Sequence, residues 1–278
     1  MKKDYLVYSK DSAQTSFKIP ETSKVDNLVN EGKFDEALTL INKLIENDSN
    51  DYENWYYKGI ILDNLAEYEK AVESFKKALV LNDGDEIKTF IANSLYKWAK
   101  IAFFPDLEYQ KALTLINEAL EIIPESEDSS EFYFLKGEIL EALKEPVEAR
   151  KNYLIAYGEF DKLREFEAQV DYLNNNEDVL INITGSYFYN FTPSAGQIVD
   201  LVKESENEYD SDAIAIYLDN KKVGYVANSE YTLMDGIKSA SKINGLISDD
   251  AQAEILFVYL DEYIIAKLIY KNSGPGGI

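Results

Sequence analysis

The chain has no cysteine and no histidine in its 278 residues, and its only arginines are Arg150 and Arg164. These absences exclude disulfides, thiolate zinc sites, cysteine nucleophiles and every histidine-based triad or metal site. No apolar run approaches the ~20 residues of a membrane-spanning helix. The two lysines that follow Met1 lead into no continuous apolar core, so no signal peptide is expected and the cytoplasm is the expected compartment. There is no GxxxxGK[ST] and no GxGxxG after a strand signal, which leaves no nucleotide-driven engine. The acidic NDGDE stretch (82–86) fails as a calcium loop, because with Gly84 at the sixth position Leu79 takes the first ligand site. No cofactor or metal is expected. Carboxylate pairs, lysine Schiff bases and tyrosine acids remain as catalytic routes, and none has a signature here, so the chain reads as a non-enzymatic protein.

Positive charge is also scarce. Basic residues number 28 against 51 acidic ones, a formal net charge of −23. Such a surface repels nucleic acid and anionic lipid at long range, and it speaks to solubility and partners rather than to fold. At 46% hydrophobic and 28% charged, the chain is nonetheless globular in composition and long enough for two domains.

The first half repeats. Trp55, Gly59, Ala71, Phe75 and Ala78 recur with identical spacing as Tyr133, Gly137, Ala149, Tyr153 and Ala156. The marker alanines Ala37, Ala71, Ala112 and Ala149 are separated by 34, 41 and 37 residues. The excess of seven falls around FFPDLEY (103–109), where Pro105 ends a lengthened helix, and the excess of three falls in PESEDSS (124–130). This pattern resembles the tetratricopeptide (TPR) repeat, a pair of antiparallel helices of about 34 residues. The resemblance implies an all-α solenoid over 18–175, with four helix pairs and a closing helix at 159–173. Small residues let the helices approach and aromatics fill the gaps between pairs, so the markers are core. A groove lined by the first helix of each pair would present Glu53, Tyr56, Ile60 and Asp63 from the second repeat. The fourth would add Glu131, Phe134, Glu138 and Glu141. The Lys, Arg and Asn that clamp a terminal carboxylate in chaperone-binding TPR proteins have no match there. Such a groove suits a basic or apolar peptide, or it is a solvated acidic face.

At LNNNED (173–178) the helical period stops. Strand signals follow at 179–191, 196–202, 212–218, 222–227, 253–260 and 263–270, with turns at Lys221-Lys222 and Asp261-Glu262. Residues 229–243 have helical spacing, with Ser229 as an N-cap. The expected fold is a small, mainly-β barrel (178–271) with one or two helices. Before the repeats lies a segment of unknown role (1–17), in which DYLVYS reads as an added strand, and residues 272–278 read as a flexible tail.

Within the barrel, Glu204, Asn207-Glu208-Tyr209-Asp210, Ala213-Ile214 and Gly224-Tyr225 resemble the diagnostic run of the HIRAN domain, an SH3/OB-like barrel. The resemblance implies binding of the 3′ end of single-stranded DNA. Asp210 would accept a hydrogen bond from the terminal 3′-hydroxyl, and Tyr209 would pack on the last nucleotide. Asp212 stands where the family usually has Asn, and Tyr187-Phe188-Tyr189 where DNA-binding members have Arg-Tyr-Tyr. Tyr225 replaces a His, and Asn228 a basic residue. Across 178–271 there are seven lysines and no arginine against 15 acidic residues. Any end-binding should therefore be weak and salt-tolerant. Read without the family, Asn207 and Asp210 are turn formers, and the loop serves the fold whether or not a ligand binds. Two functions stand side by side: an adaptor joining a protein-binding solenoid to a barrel that docks on nucleic-acid ends, and a purely protein-binding scaffold.

Overall fold

A computed structural model describes residues 20–123, 129–248 and 250–269. The segment 1–17, with its expected strand, and the tail 272–278 lie outside the described residues. The chain forms two compact units, 1–144 and 145–278.

Among the described residues of the first unit, seven helices stack as a TPR-like solenoid: α1 (Pro20–Asn30), α2 (Phe34–Asn47), α3 (Tyr52–Asn64), α4 (Tyr68–Leu81), α5 (Asp85–Phe103), α6 (Tyr109–Ile122) and α7 (Ser130–Ala142). Two of the tight connections have the same chemistry. Gly32 and Ala66 stand at positive φ after α1 and α3. The following N–H groups of Lys33 and Glu67 reach back to the carbonyls of Leu28 and Leu62, satisfying helix-end acceptors. Of the marker residues, Ala71, Phe75, Ala78 and Ala149 are buried, whereas Trp55, Tyr133, Tyr153 and Ala156 are only half-buried. Phe75 stacks on Phe90 of α5 at 5.4 Å, and Tyr56 of α3 meets the same ring edge-on at 5.3 Å, tying three helices together. Gly59 makes this possible, because a Cβ there would stand 2.5 Å from the Phe75 ring. The lengthened helix ending before Pro105 is α5, with 19 residues against 13 in α3.

The second unit begins with α8 (Pro146–Ala156) and α9 (Phe160–Asn175) and continues, among its described residues, into six strands. These are β1 (Leu180–Thr184), β2 (Ile198–Lys203), β3 (Ile214–Leu218), β4 (Lys221–Val226), β5 (Gln252–Tyr259) and β6 (Tyr263–Ile269), with a short α10 (Ala240–Asn244) before β5. They close into an antiparallel barrel in the order β1-β4-β3-β2-β5-β6. Ile181, Ile183, Val199, Leu201, Ile214, Ile216, Ile264 and Ala266 fill its interior.

Part of the barrel is dry outside as well. Leu180, Tyr259 and Ile265 point away from the interior into a second core, shared with Leu154 of α8, Phe166 of α9 and Ile237. Phe166 stacks on Tyr259 at 5.5 Å, Tyr172 meets Phe257 edge-on at 6.2 Å, and Arg150 reaches Asp261 at 2.8 Å. The change of period places a division at 173–178, whereas compactness places it after Lys144. Repeat pattern and packing thus divide the chain at different points, because the outer face of β1 and β6 needs a cover and α8 with α9 supplies it.

Several local expectations are corrected. β1 stops at Thr184, because Gly185 is left-handed at φ 73, and Ser186–Tyr189 form a 3₁₀ turn rather than more strand. The β3–β4 turn is Asp219-Asn220, both at positive φ, and Lys221-Lys222 already belong to β4. The last hairpin turns at Leu260-Asp261, one residue earlier than expected. The helix expected over 229–243 shrinks to α10, preceded by Ser239. The side chain of Asn182 binds the carbonyl of Thr232 (2.8 Å) and the N–H of Met234 (3.3 Å), and Gly236 is left-handed, so this stretch cannot wind as one helix.

Two outcomes are expected. Gly59→Ala should lower stability by about 1–3 kcal/mol by overpacking Phe75, read as a shift of the urea midpoint. A fragment of residues 145–271 should unfold cooperatively, whereas 178–271 should not. The shorter fragment exposes Leu180, Tyr259 and Ile265, at about 1.5–3 kcal/mol each, a sum comparable to a whole domain's stability. Equal melting of the two fragments would show that the cover is dispensable.

Candidate functional site

The loop between β2 and β3 is built by its own side chains. Asn207 Oδ1 accepts the N–H of Tyr209 (3.0 Å) and of Asp210 (3.3 Å), a turn held by one amide oxygen. Asp210 continues the cap: Oδ1 accepts the N–H of Asp212 at 2.9 Å, and Oδ2 accepts from Asn228 Nδ2 at 2.8 Å. Asn228 in turn accepts from the N–H (2.9 Å) and Oγ (2.6 Å) of Ser241, at the start of α10. Asn228 is thus a neutral relay joining three segments. Asp210 caps the turn, and its two oxygens, with roughly four lone-pair sites, keep capacity for one more donor.

Beside it lies a charged knot. Lys222 Nζ donates to Glu204 Oε1 (2.5 Å) and to Tyr225 Oη (2.9 Å), while the Tyr225 hydroxyl donates to Glu204 Oε2 (3.1 Å). Asn207 Nδ2 adds a further bond to Glu204 at 3.2 Å, linking the knot to the loop. The bond from Lys222 holds the Glu204 carboxyl below the usual glutamate range. Burial opposes the Lys222 charge, but the bonds to Glu204 and Tyr225 outweigh it and hold its pKa above the ordinary value. Burial and the neighbouring Tyr225 hold the pKa of Tyr189 above its ordinary value. Gly224 lets the strands meet here, since a Cβ would stand 2.7 Å from the Thr184 carbonyl oxygen.

Around these bonded groups stand aromatics with little to touch. Tyr187, Phe188 and Tyr209 are 86, 83 and 95% exposed, and Tyr189 is 38% exposed. The 3₁₀ turn sets Tyr187 and Phe188 outward, their rings 6.0 Å apart and edge to face. The site residues expected from sequence therefore separate into two sets. Asp210, Tyr225 and Asn228 join Glu204 in one hydrogen-bonded frame, Tyr187, Phe188 and Tyr209 form open faces, and Tyr189 is only partly exposed between them. Lys222 lies outside the set read from sequence; its signal is the Lys-Lys pair, which reads as a turn but belongs to β4. Tyr231, 89% exposed in the loop after Asn228, also lies outside that set, because the loop reads as helix.

In the repeat unit, the expected groove residues are engaged to differing extents. Tyr56 donates to Glu86 (2.9 Å), and Asp63 accepts from Ser94 (2.7 Å) and Lys97 (2.5 Å). Ile60 packs against the core, so these three join neighbouring repeats. On α7, Phe134 and Glu141 are exposed and Glu138 is half-buried.

Glu204→Gln should destabilise the second unit by about 1–2 kcal/mol near neutral pH. A depressed carboxyl stabilises above its unfolded-state pKa, about 4.3, and that contribution disappears as pH falls through the lower folded value. The melting difference between wild type and E204Q should therefore narrow below about pH 4; a constant difference down to strong acid would exclude the ion pair as its source.

The model of the tetratricopeptide repeat matches residues 22–86, and that of the HIRAN domain matches residues 176–235, from the end of α9 through β4 and into the following loop. No curated protein matches the chain. Solved structures similar to it include a MamA RS-1 ArsTM double mutant, at 22% identity and TM-score 0.35, covering 56% of this chain and 84% of that one. The Yersinia enterocolitica type III secretion chaperone SycD, in complex with a peptide of the translocator YopD, is 20% identical with TM-score 0.31, over 45% of this chain and 89% of that one. A thermophilic TPR protein of Thermus thermophilus is 17% identical with TM-score 0.30, over 55% and 83%. Among the described residues, no helix is long and apolar enough to cross a membrane. The chain carries an N-terminal tetratricopeptide repeat region followed by a C-terminal HIRAN domain.

Proposed function

We propose that this protein is a non-enzymatic adaptor, with a repeat unit that holds a protein partner and a HIRAN barrel that docks weakly on single-stranded DNA ends. The observation that carries the second half is the set of three open aromatic faces, Tyr187, Phe188 and Tyr209, beside a carboxylate whose position is fixed by bonds to Asp212 and Asn228. Bases stack on aromatic faces without being read for sequence, at about 1–3 kcal/mol each. Asp210 offers acceptor capacity to a terminal hydroxyl. Lys222 is neutralised by Glu204, so few phosphate contacts are formed and the salt dependence is shallow. On the repeat unit, a basic or apolar peptide segment would lie against Phe134, Glu138 and Glu141, with Tyr56, Ile60 and Asp63 as a bonded floor.

A second reading has its own support. The excess of acidic over basic residues across 178–271 and the pairing of Lys222 favour a barrel that binds protein instead.

Fluorescence anisotropy of the full chain with short single-stranded DNA ending in a 3′-hydroxyl or a 3′-phosphate separates the two. End-docking expects preference for the hydroxyl, weakened by at least about fivefold in Tyr209→Ala and lost in Asp210→Ala at a temperature where circular dichroism shows that variant, although it lacks the turn cap, still folded. Absence of binding at low salt would move the barrel to the protein-binding reading.

A further inference from the structure

The loop after β4 holds features that the site so far does not use. Asn182 sits in the middle of an apolar strand, 2% exposed, on the outer face of β1. Its amide spans the Thr232 carbonyl and the Met234 N–H, imitating a backbone neighbour for a segment that has no strand to pair with. Ser229 accepts the N–H of Thr232 at 3.0 Å and of Leu233 at 2.9 Å, closing the turn around Tyr231. Leu233, Met234 and Ile237 anchor the same loop in the core beneath α8 and α9. All this ordering leaves Tyr231 itself 89% in solvent. A buried asparagine is costly unless fully bonded. Here its bonds order a loop whose outermost residue is an unburied ring.

The loop is continuous with the frame already described. Asn228, three residues before Tyr231, is the partner of Asp210, and it also holds Ser241. Lys238 and Lys242 flank that attachment, both exposed. Among the described residues neither ammonium has a carboxylate in ion-pair reach, in contrast to Lys222, whose charge is cancelled. An aromatic face followed by two uncancelled cations is the combination that holds a single strand by stacking and phosphate contact.

We infer that the surface of Tyr231, Lys238 and Lys242 is a second nucleotide-binding segment, over which a single strand continues from Tyr209 across the Asn228 relay. This rests on the end-docking proposed above and extends it: the end is held at Tyr209 and Asp210, and the strand behind it at Tyr231. Tyr231 supplies a stacking face, the two lysines meet phosphates, and Asn182 is a positioning residue.

The test is anisotropy of the full chain with 3′-hydroxyl oligonucleotides of about 4 and about 12 nucleotides, which bracket most single-strand site sizes of small barrels. Wild type should bind the longer strand more tightly. Tyr231→Ala should lower that affinity by at least about fivefold and leave the shorter strand unaffected, while Tyr231→Phe binds as wild type. Lys238→Gln with Lys242→Gln should reduce the slope of log affinity against log salt by about 0.7 for each lost contact, on the longer strand only. If Tyr231→Ala, with an unchanged melting temperature, binds both lengths as wild type does, this segment is excluded while end-docking stands. If Tyr231→Phe loses affinity as Tyr231→Ala does, stacking is excluded. If wild type binds neither length, end-docking falls and this inference with it.

Discussion

Two adjoining strands of the barrel, β1 and β6, are buried on both faces over much of their length, and the second unit is arranged around that constraint. A closed barrel buries one face of each strand; Leu180 and Ile265 point the other way and are equally dry. Something outside the barrel must cover them, and α8 and α9 do so through Leu154 and Phe166. The same outer core takes in Leu233, Met234 and Ile237, so it also anchors the loop that ends at α10. With this side covered, β2 keeps ordinary alternation, with Val199 and Leu201 inside and Ile198, Asp200 and Val202 in solvent. The polar frame gathers around β4 and the neighbouring loops.

That frame is notable for how little free charge it contains. Glu204 and Lys222 cancel each other, and Tyr225 is held between them. Asp210 is directed by Asn228 and by the N–H of Asp212. Where a more basic barrel would hold a ligand through long-range attraction, this one holds rigid hydrogen-bonded groups and open aromatic rings. Stacking acts at contact distance and survives salt, which suits a chain whose net charge repels polyanions from afar.

Legibility followed the range of the forces involved. The repeat was readable because helix packing recurs with the chain: Gly59 against Phe75, and Ala71 and Ala78 in the core, leave a pattern within 24 residues. The strands were readable from their apolar runs. Their ends were not, because left-handed residues such as Gly185, Asn220 and Leu260 end them by a residue or two. The helix expected over 229–243 failed for a non-local reason: Asn182, fifty residues from Thr232, takes the carbonyl that a helix would have used. A signal for the outer core was present in YIIA, whose consecutive apolar residues suit a strand buried on both faces.

Local sequence was sufficient for the helical repeat, the strand-rich second part and the residues of the Asn207–Asp210 loop, because each is encoded by periodicity or by a side chain bonding its own backbone. Long-range packing was needed to set α8 and α9 against the barrel, to bring Asp210 to Asn228, to cancel Lys222 with Glu204, and to leave Tyr231 open on an ordered loop. Those contacts join residues distant in the chain, such as Lys222 with Glu204 and Phe166 with Tyr259, brought together by barrel closure and the outer core. A linear pattern records which face of a strand is apolar; it does not record what will cover it.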